Sequence, residues 1–298
     1  MPRITLIGRF LFAFACVASG LRQLATGAWV RLVPETPGGP PRAAAWILLS
    51  GAALVLAGGA LLSGRWRRRG ALVLAALLGF LFLGLYLPAV LGNPWAGFMW
   101  TNPCKTLALL GGTLLLAGSP VQTGPNELAF APRPLRRLLP AGWIFLSLFF
   151  LVAGAQHFVY ASFVDTLVPG WIPPGRRFWT VFAGVALLAG GAGLALPRTA
   201  RAAATWSGLM VFLWVLLLHG PRAVQMHSLF ELDGVFEATA IAGVAWLVAG
   251  TRAKGRLTAA EDPRQDGFDD REARELLPVT SGPGPASLNP EGSPPPRS

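Results

Sequence analysis

Four ionisable side chains lie inside long apolar stretches of the chain, and these residues are the best candidates for chemistry. Arg22 and Lys105 lie in the first half of the sequence, and His157 and Glu237 lie in the second half. An ionisable side chain inside a membrane span is costly and by default marks a functional site. The sequence therefore predicts a polar site to which these side chains contribute.

Amide side chains accompany two of these residues, because Gln23 follows Arg22 and Gln156 precedes His157. We expect all six residues to line a polar pocket near the outer membrane face, with His157 and Glu237 paired. A histidine beside a carboxylate is suited to proton transfer near neutral pH. The alternative interpretation is that these near-interface side chains snorkel towards water and are simply solvated.

Two further histidines lie near the last predicted outer loop but carry no recognised metal motif. His227 and Glu231 are four residues apart, and His219 lies shortly before them. Zinc sites do use histidine with glutamate or aspartate. Two imidazoles outside a known motif are weak support for such a site, so we predict none.

Apolar segments that are long enough to cross a bilayer must position these residues. Hydrophobic residues make up 53% of the 298 residues and charged residues only 13%, against about 25% charged in a typical soluble domain. A membrane span needs roughly 20 apolar residues. The chain is therefore predicted to be an all-α polytopic membrane protein, surrounded by a lipid bilayer, with eight transmembrane helices. They lie near residues 7–28, 43–63, 70–91, 102–119, 140–160, 178–197, 202–219 and 234–250.

The second half repeats the landmarks of the first about 133 positions later. The run LAGG at 56–59 recurs at 188–191, and Pro88 recurs as Pro221. Each copy holds four spans, an even number, so the two four-helix repeats are parallel. We predict a first unit at 1–120, a cytoplasmic linker at 121–139, a second unit at 140–250 and a disordered cytoplasmic tail at 251–298. The alignment places Lys105 opposite Glu237 and Gln23 opposite His157.

The net charge of +11 predicts an orientation rather than a nucleic-acid partner. Arginines concentrate in alternate loops, for example at 65–69 and 133–137, and an excess of basic residues marks the cytoplasmic side. Both termini are therefore expected in the cytoplasm, with the protein in a bacterial inner membrane.

Three stretches of the second half carry a resemblance to a known family. They are GAQHF at 154–158, FVDTLVPGWIP at 163–173 and FAGVALLAGG at 182–191. In this order they resemble the DoxX family of bacterial membrane proteins. The first half keeps the layout but has Gln23-Leu24 where the family often has His-Phe.

The resemblance implies an accessory or quinone-linked component of a membrane redox system, with a membrane redox protein as partner and quinone as cofactor. It brings no settled set of catalytic residues, so it leaves open whether the chain is an enzyme. The alternatives are a transporter for ions or small molecules, with its path between the two repeats, and a purely structural partner of another membrane protein.

Overall fold

A computed structural model of the chain describes residues 3–32, 43–124 and 127–260. The chain divides into two compact units, Met1–Arg256 and Leu257–Ser298. Only residues 257–260 of the second unit are described, and the predicted tail from residue 261 onwards lies outside the described residues.

The first half is built from helices. In chain order these are α1 (Arg3–Thr26), α2 (Ala43–Leu62), α3 (Arg67–Phe80), α4 (Leu87–Gly92) and α5 (Thr101–Gly118). A π-helical segment, Leu81–Tyr86, joins α3 to α4 without a break, and a 3-10 turn, Gly97–Trp100, leads into α5.

The predicted linker carries a short hairpin and one short helix. Strand β1 (Val121–Gly124) pairs antiparallel with β2 (Glu127–Ala129), with Val121 opposite Ala129. Helix α6 (Arg133–Arg137) follows.

The second half is also built from helices. Its helices are α7 (Ala141–Val159), α8 (Ala161–Leu167), α9 (Arg176–Ala195), α10 (Ala200–Trp214), α11 (Gly220–Met226) and α12 (Leu229–Ala260). A π-helical segment, Val215–His219, joins α10 to α11. Helix α12 continues to Ala260, beyond the predicted end of this unit at residue 250.

Each π-helical segment ends two residues before a proline. Pro88 follows the segment that ends at Tyr86, and Pro221 follows the one that ends at His219. Proline lacks a backbone N–H and its ring clashes with the carbonyl four residues earlier. The wider π-helical turn accommodates the proline, and the helix continues beyond it in both halves, from Arg67 to Gly92 and from Ala200 to Met226.

Within the described residues, seven helical segments are long and apolar enough to cross a membrane. They are Arg3–Thr26, Ala44–Leu62, Arg67–Gly92, Arg133–Val159, Arg176–Ala195, Ala200–Met226 and Leu229–Thr251. The remaining predicted span, at 102–119, corresponds to α5, which begins with the polar sequence TNPCKT and is not among the seven. Most side chains of α5 are buried, so neighbouring helices shield its polar residues.

The last helix of each half lies deep in the bundle and approaches the first helix of the other half through glycines. On α1, a Cβ built at Gly8 would lie 2.7 Å from the carbonyl oxygen of Gly243 on α12. On α5, a Cβ built at Gly111 would lie 2.9 Å from the Cα of Gly142 on α7. Small residues let membrane helices pack closely, which explains the burial of α5 and α12.

Candidate functional site

Charged side chains from both halves meet at the end of the bundle where α12 begins. Arg22 Nε lies 3.3 Å from Asp233 Oδ1, and Glu237 Oε2 lies 3.3 Å from Lys105 Nζ and 3.7 Å from Arg31 Nε. The side chains of Lys105 and Asp233 are each 4% exposed. We call these five residues the ion-pair cluster.

The predicted pairing of His157 with Glu237 is wrong. Glu237 on α12 pairs with Lys105 and Arg31 of the first half. The Nδ1 atom of His157 lies 2.7 Å from the carbonyl oxygen of Ala153, and its ring stacks against Trp214 at 6.1 Å. The prediction assumed that polar residues of one repeat meet each other, whereas Glu237 meets residues of the other repeat.

The two glutamines of the predicted pocket occupy separate places. Gln23 is fully buried, and its Nε2 donates to the carbonyl of Ile47 at 2.8 Å and to Ser50 Oγ at 2.7 Å. Gln156 instead bridges the halves, because its Nε2 donates to the carbonyl of Gly97 at 2.8 Å and its Oε1 accepts from Thr101 Oγ1 at 2.9 Å.

The six predicted residues therefore do not line one pocket. Arg22, Lys105 and Glu237 belong to the ion-pair cluster, Gln156 joins the halves, and Gln23 lies inside the first half. His157 lines a cavity of the second half.

Sequence reasoning missed Arg31, which follows α1. Its guanidinium lies near Glu237 and 4.2 Å from the ring centroid of Phe230. The available signal was that Arg31 is one of the few basic residues in the predicted outer loops.

Glu231 pairs with Arg222 rather than with His227. The guanidinium of Arg222 donates to both carboxylate oxygens of Glu231, at 2.8 and 3.2 Å. His227 ends α11 in the left-handed backbone conformation, with φ of 47°. Within the described part of the chain, no three histidine, cysteine, aspartate or glutamate residues are grouped so that they could hold a metal ion.

A cavity of about 810 Å³ lies between α9 and α10 in the second half. We call it the α9–α10 cavity. Its walls are mainly apolar, and its polar lining consists of His157, Thr180, Ser207 and His219. Pockets of about 300–1,000 Å³ with apolar walls and a few polar groups are typical binding sites for small molecules.

The polar groups concentrate at the end of the cavity where α9 begins. Thr180 is 1% exposed, and its hydroxyl has no hydrogen-bond partner among the described residues. His219 is the last residue of the π-helical segment, and its Nδ1 is also buried without a hydrogen-bond partner in the described residues. Thr180 escaped sequence reasoning because a single threonine in an apolar helix carries no motif.

His219 lies between the α9–α10 cavity and the ion-pair cluster. A Cβ built at Gly234 on α12 would lie 2.9 Å from His219 Nδ1 and 2.7 Å from Arg31 Nη1. The missing side chain at Gly234 therefore makes room for both groups. Through this contact, a residue of the cavity wall touches the start of α12.

Comparison with known proteins gives one partial match. A family model described as a domain of unknown function (DUF8561) matches residues 146–220, about a quarter of the chain. All the residues that line the α9–α10 cavity lie within this match. No curated protein and no solved structure matches the chain. The resemblance to the DoxX family stays a prediction.

Proposed function

We propose that this chain is an integral membrane protein that binds a lipid-soluble small molecule, as an accessory or quinone-linked component of a membrane redox system. The observation that carries the proposal is the α9–α10 cavity, whose apolar walls end in two imidazoles and a buried hydroxyl. A quinone ring with part of its chain is a suitable occupant by size and polarity.

We further propose that the bundle consists of two parallel four-helix repeats, with α5 as the fourth of eight spans. The contact of Gly8 with Gly243 and the contact of Gly142 with Gly111 join equivalent positions of the two halves. Lys105 and Glu237 are equivalent to each other and form an ion pair. In a parallel repeat, equivalent positions of the two copies can contact each other only beside the axis that relates them, which runs along the membrane normal. Here that axis would lie between α5 and α12.

A bound cofactor would be detected directly. The protein is purified from its membrane and extracted with organic solvent, and the extract is analysed for quinones by mass spectrometry. Ala186 lines the cavity, so Ala186→Phe should remove the bound molecule. Val185, the next residue, is exposed and outside the lining, so Val185→Phe should retain it. The quinone proposal would be contradicted if both variants yielded the same amount of quinone, or if the unmodified protein yielded none.

The proposed orientation has cytoplasmic termini in a bacterial inner membrane and the ion-pair cluster at the outer face. Both native cysteines are buried, so introduced cysteines report topology against a low background. Trp95, between α4 and α5, is 93% exposed, and Leu138, between α6 and α7, is also exposed. A membrane-impermeant maleimide should label Trp95→Cys in intact spheroplasts and Leu138→Cys only after lysis. The reverse pattern would invert the orientation.

One observation favours the alternative of transport between the repeats. The Lys105–Glu237 ion pair lies where the two halves meet, and buried charges often mark ion pathways in membranes. In proteoliposomes with a potassium-driven membrane potential, a transporter of protons should acidify the lumen. Glu237→Gln should abolish this flux, while Ala186→Phe should leave it intact. Absence of flux in the unmodified protein would rule out proton transport.

A further inference from the structure

At the level of the α9–α10 cavity, the buried polar groups of the two halves differ in their hydrogen-bond partners. In the first half, the Nε2 of Gln23 donates to the carbonyl of Ile47 and to Ser50 Oγ, so this amide group is satisfied inside the protein. In the second half, the position of Gln23 is occupied by His157. The position of Ile47 is occupied by Thr180. These two exchanges place polar groups beside an open space.

The hydroxyl of Thr180 supplies a hydrogen-bond donor to the cavity. Thr180 lines the cavity, is 1% exposed and has no hydrogen-bond partner in the described chain. A buried hydroxyl without a partner costs free energy. A bound molecule with an acceptor oxygen would remove that cost.

His157 supplies a hydrogen-bond acceptor at the same end. Its Nδ1 lies 2.7 Å from the carbonyl oxygen of Ala153. A carbonyl only accepts, so Nδ1 carries the proton and the neutral ring presents Nε2 as an acceptor. A Cβ built at Gly184 would lie 2.9 Å from His157 Cβ. Gly184 is one turn from Thr180 on the same face of α9, so the donor and the acceptor are neighbours.

The charged side chains that the structure describes beside His219 already take part in ion pairs. The charged side chains that act on His219 are Arg31, Glu237, Glu231 and Arg222. Arg31 pairs with Glu237, and Arg222 pairs with Glu231. The described residues that line the cavity include no Asp, Glu, Lys or Arg, so a charged head group would lose its hydration without a counter-ion in the lining.

The cavity opens on the apolar surface of the bundle. Phe182, Trp206 and Leu213 line the cavity and are also exposed. Along α9 the lining extends from Trp179 to Gly190, which is about 17 Å at 1.5 Å per residue. A molecule therefore enters from the lipid and places its apolar body along α9 and α10.

We infer that the α9–α10 cavity takes an uncharged molecule with an apolar body and a hydroxyl head, such as a long-chain alcohol or an alkylated phenol, a class that includes the reduced, hydroquinone form of a quinone. Its O–H donates to Nε2 of His157, and its oxygen accepts from Thr180 Oγ1. The inference rests on the proposed binding of a lipid-soluble molecule and adds the chemistry of its head group.

Three probes with the same chain separate the head-group chemistries. Dodecan-1-ol has a hydroxyl, dodecyl methyl ether only accepts hydrogen bonds, and dodecanoate is charged. Each is titrated into the full-length protein in a non-ionic detergent, and the bound fraction is measured by native mass spectrometry. We expect dodecan-1-ol to bind about tenfold more tightly than the ether, or about 1.4 kcal/mol, and dodecanoate to bind most weakly.

Variants test whether the two named side chains cause this difference. Thr180→Val keeps the shape of the side chain and should reduce the preference for the alcohol over the ether to about threefold or less. His157→Leu should do the same. The matched control is Thr5→Val on α1, because the Thr5 hydroxyl is also buried and finds no partner in the described residues. This control should keep the full preference.

Each result has a distinct consequence. If none of the probes binds, the proposed lipid-soluble ligand is wrong together with this inference. If the ether or dodecanoate binds as tightly as the alcohol, or if Thr180→Val keeps the full preference, the hydroxyl head group is wrong while binding of a lipophilic molecule stands.

Discussion

The two halves of the bundle, which we propose to be repeats, differ in how their second and third helices meet. In the first half, Trp46 on α2 stacks on Phe80 at the end of α3, with ring centroids 5.2 Å apart and planes 8° apart. The equivalent residues Trp179 and Leu213 both line the α9–α10 cavity. The indole of Trp179 donates to the carbonyl of Pro173 instead. One half is therefore closed at the place where the other is open.

Small changes in side-chain volume account for this difference. Leu74 is 1% exposed and fills the first half, whereas its equivalent in the cavity wall is Ser207. A Cβ built at Gly70 on α3 would lie 2.6 Å from the carbonyl oxygen of Ala57 on α2, and the equivalent of Gly70 is Ala203, which also lines the cavity. A cavity can thus be opened in one half without changing its helices.

The largest difference between the halves is expected at the contacts that join them. Arg22 faces the buried carboxylate of Asp233, while the equivalent Gln156 faces the hydroxyl of Thr101. Arg22→Ala should lower the free energy of unfolding by about 3–5 kcal/mol, because it leaves a buried charge unpaired. Gln156→Ala should cost about 1 kcal/mol, since it removes neutral hydrogen bonds. Unfolding by steric trapping in bicelles measures both values.

A double variant provides the control for this comparison. Arg22→Gln with Asp233→Thr recreates the Gln156–Thr101 chemistry at the equivalent position. It should recover most of the stability that Arg22→Ala loses. Equal losses for Arg22→Ala and Gln156→Ala would show that the Asp233 charge is not stabilised by Arg22.

The next largest effect is expected when a buried leucine of the first half is replaced by the serine that lines the cavity of the second half. Leu74→Ser should lower the free energy of unfolding by about 3 kcal/mol, because it removes a fully buried side chain and leaves a void. Leu72 on the same helix is exposed, and Leu72→Ser should cost less than about 1 kcal/mol. A Leu74→Ser cost as small as that of Leu72→Ser would mean that the first half does not depend on its filled core.

A smaller difference is expected between two equivalent glycines. A Cβ at Gly8 meets backbone atoms of α12, including the nitrogen of Leu247 at 2.8 Å. The three atoms nearest to a Cβ at Gly142 all belong to the side chain of Leu115, which can shift more readily than a helix backbone. Gly8→Ala should therefore cost about 2 kcal/mol through overpacking, and Gly142→Ala should cost less than about 1 kcal/mol. The same unfolding measurement gives both values. A larger loss of stability for Gly142→Ala than for Gly8→Ala would contradict this prediction.

Much of this helical layout could be predicted from the sequence, because apolar length alone reveals a membrane span. Seven of the predicted spans correspond to helices of sufficient length and hydropathy. Helix α5 shows where such reasoning weakens, since Lys105 and its polar neighbours are tolerated only because other helices bury them. The equivalence of Lys105 and Glu237 was visible in the sequence. Their contact was not, because it depends on how the halves face each other.

The cavity could not be predicted for a related reason. Thr180, Ser207 and His219 lie on two different helices, and no spacing in the sequence indicates how far those helices stand apart. His157 was identified because histidine is rare in a membrane span. Its neighbours are Trp214 and Gly184 rather than Glu237. They depend on how the helices pack against one another, which the sequence does not show.

The smallest effect on stability is expected from the change that makes the second half resemble the first. Ser207→Leu places the residue of the filled half into the cavity wall, beside Gly190. A hydrophobic side chain that enters an existing void should change the free energy of unfolding by less than about 1 kcal/mol. It should also abolish binding of dodecan-1-ol, because the apolar body of the ligand needs this space. Loss of binding with unchanged stability would show that the second half holds its cavity open for a ligand, whereas retained binding would place the ligand elsewhere.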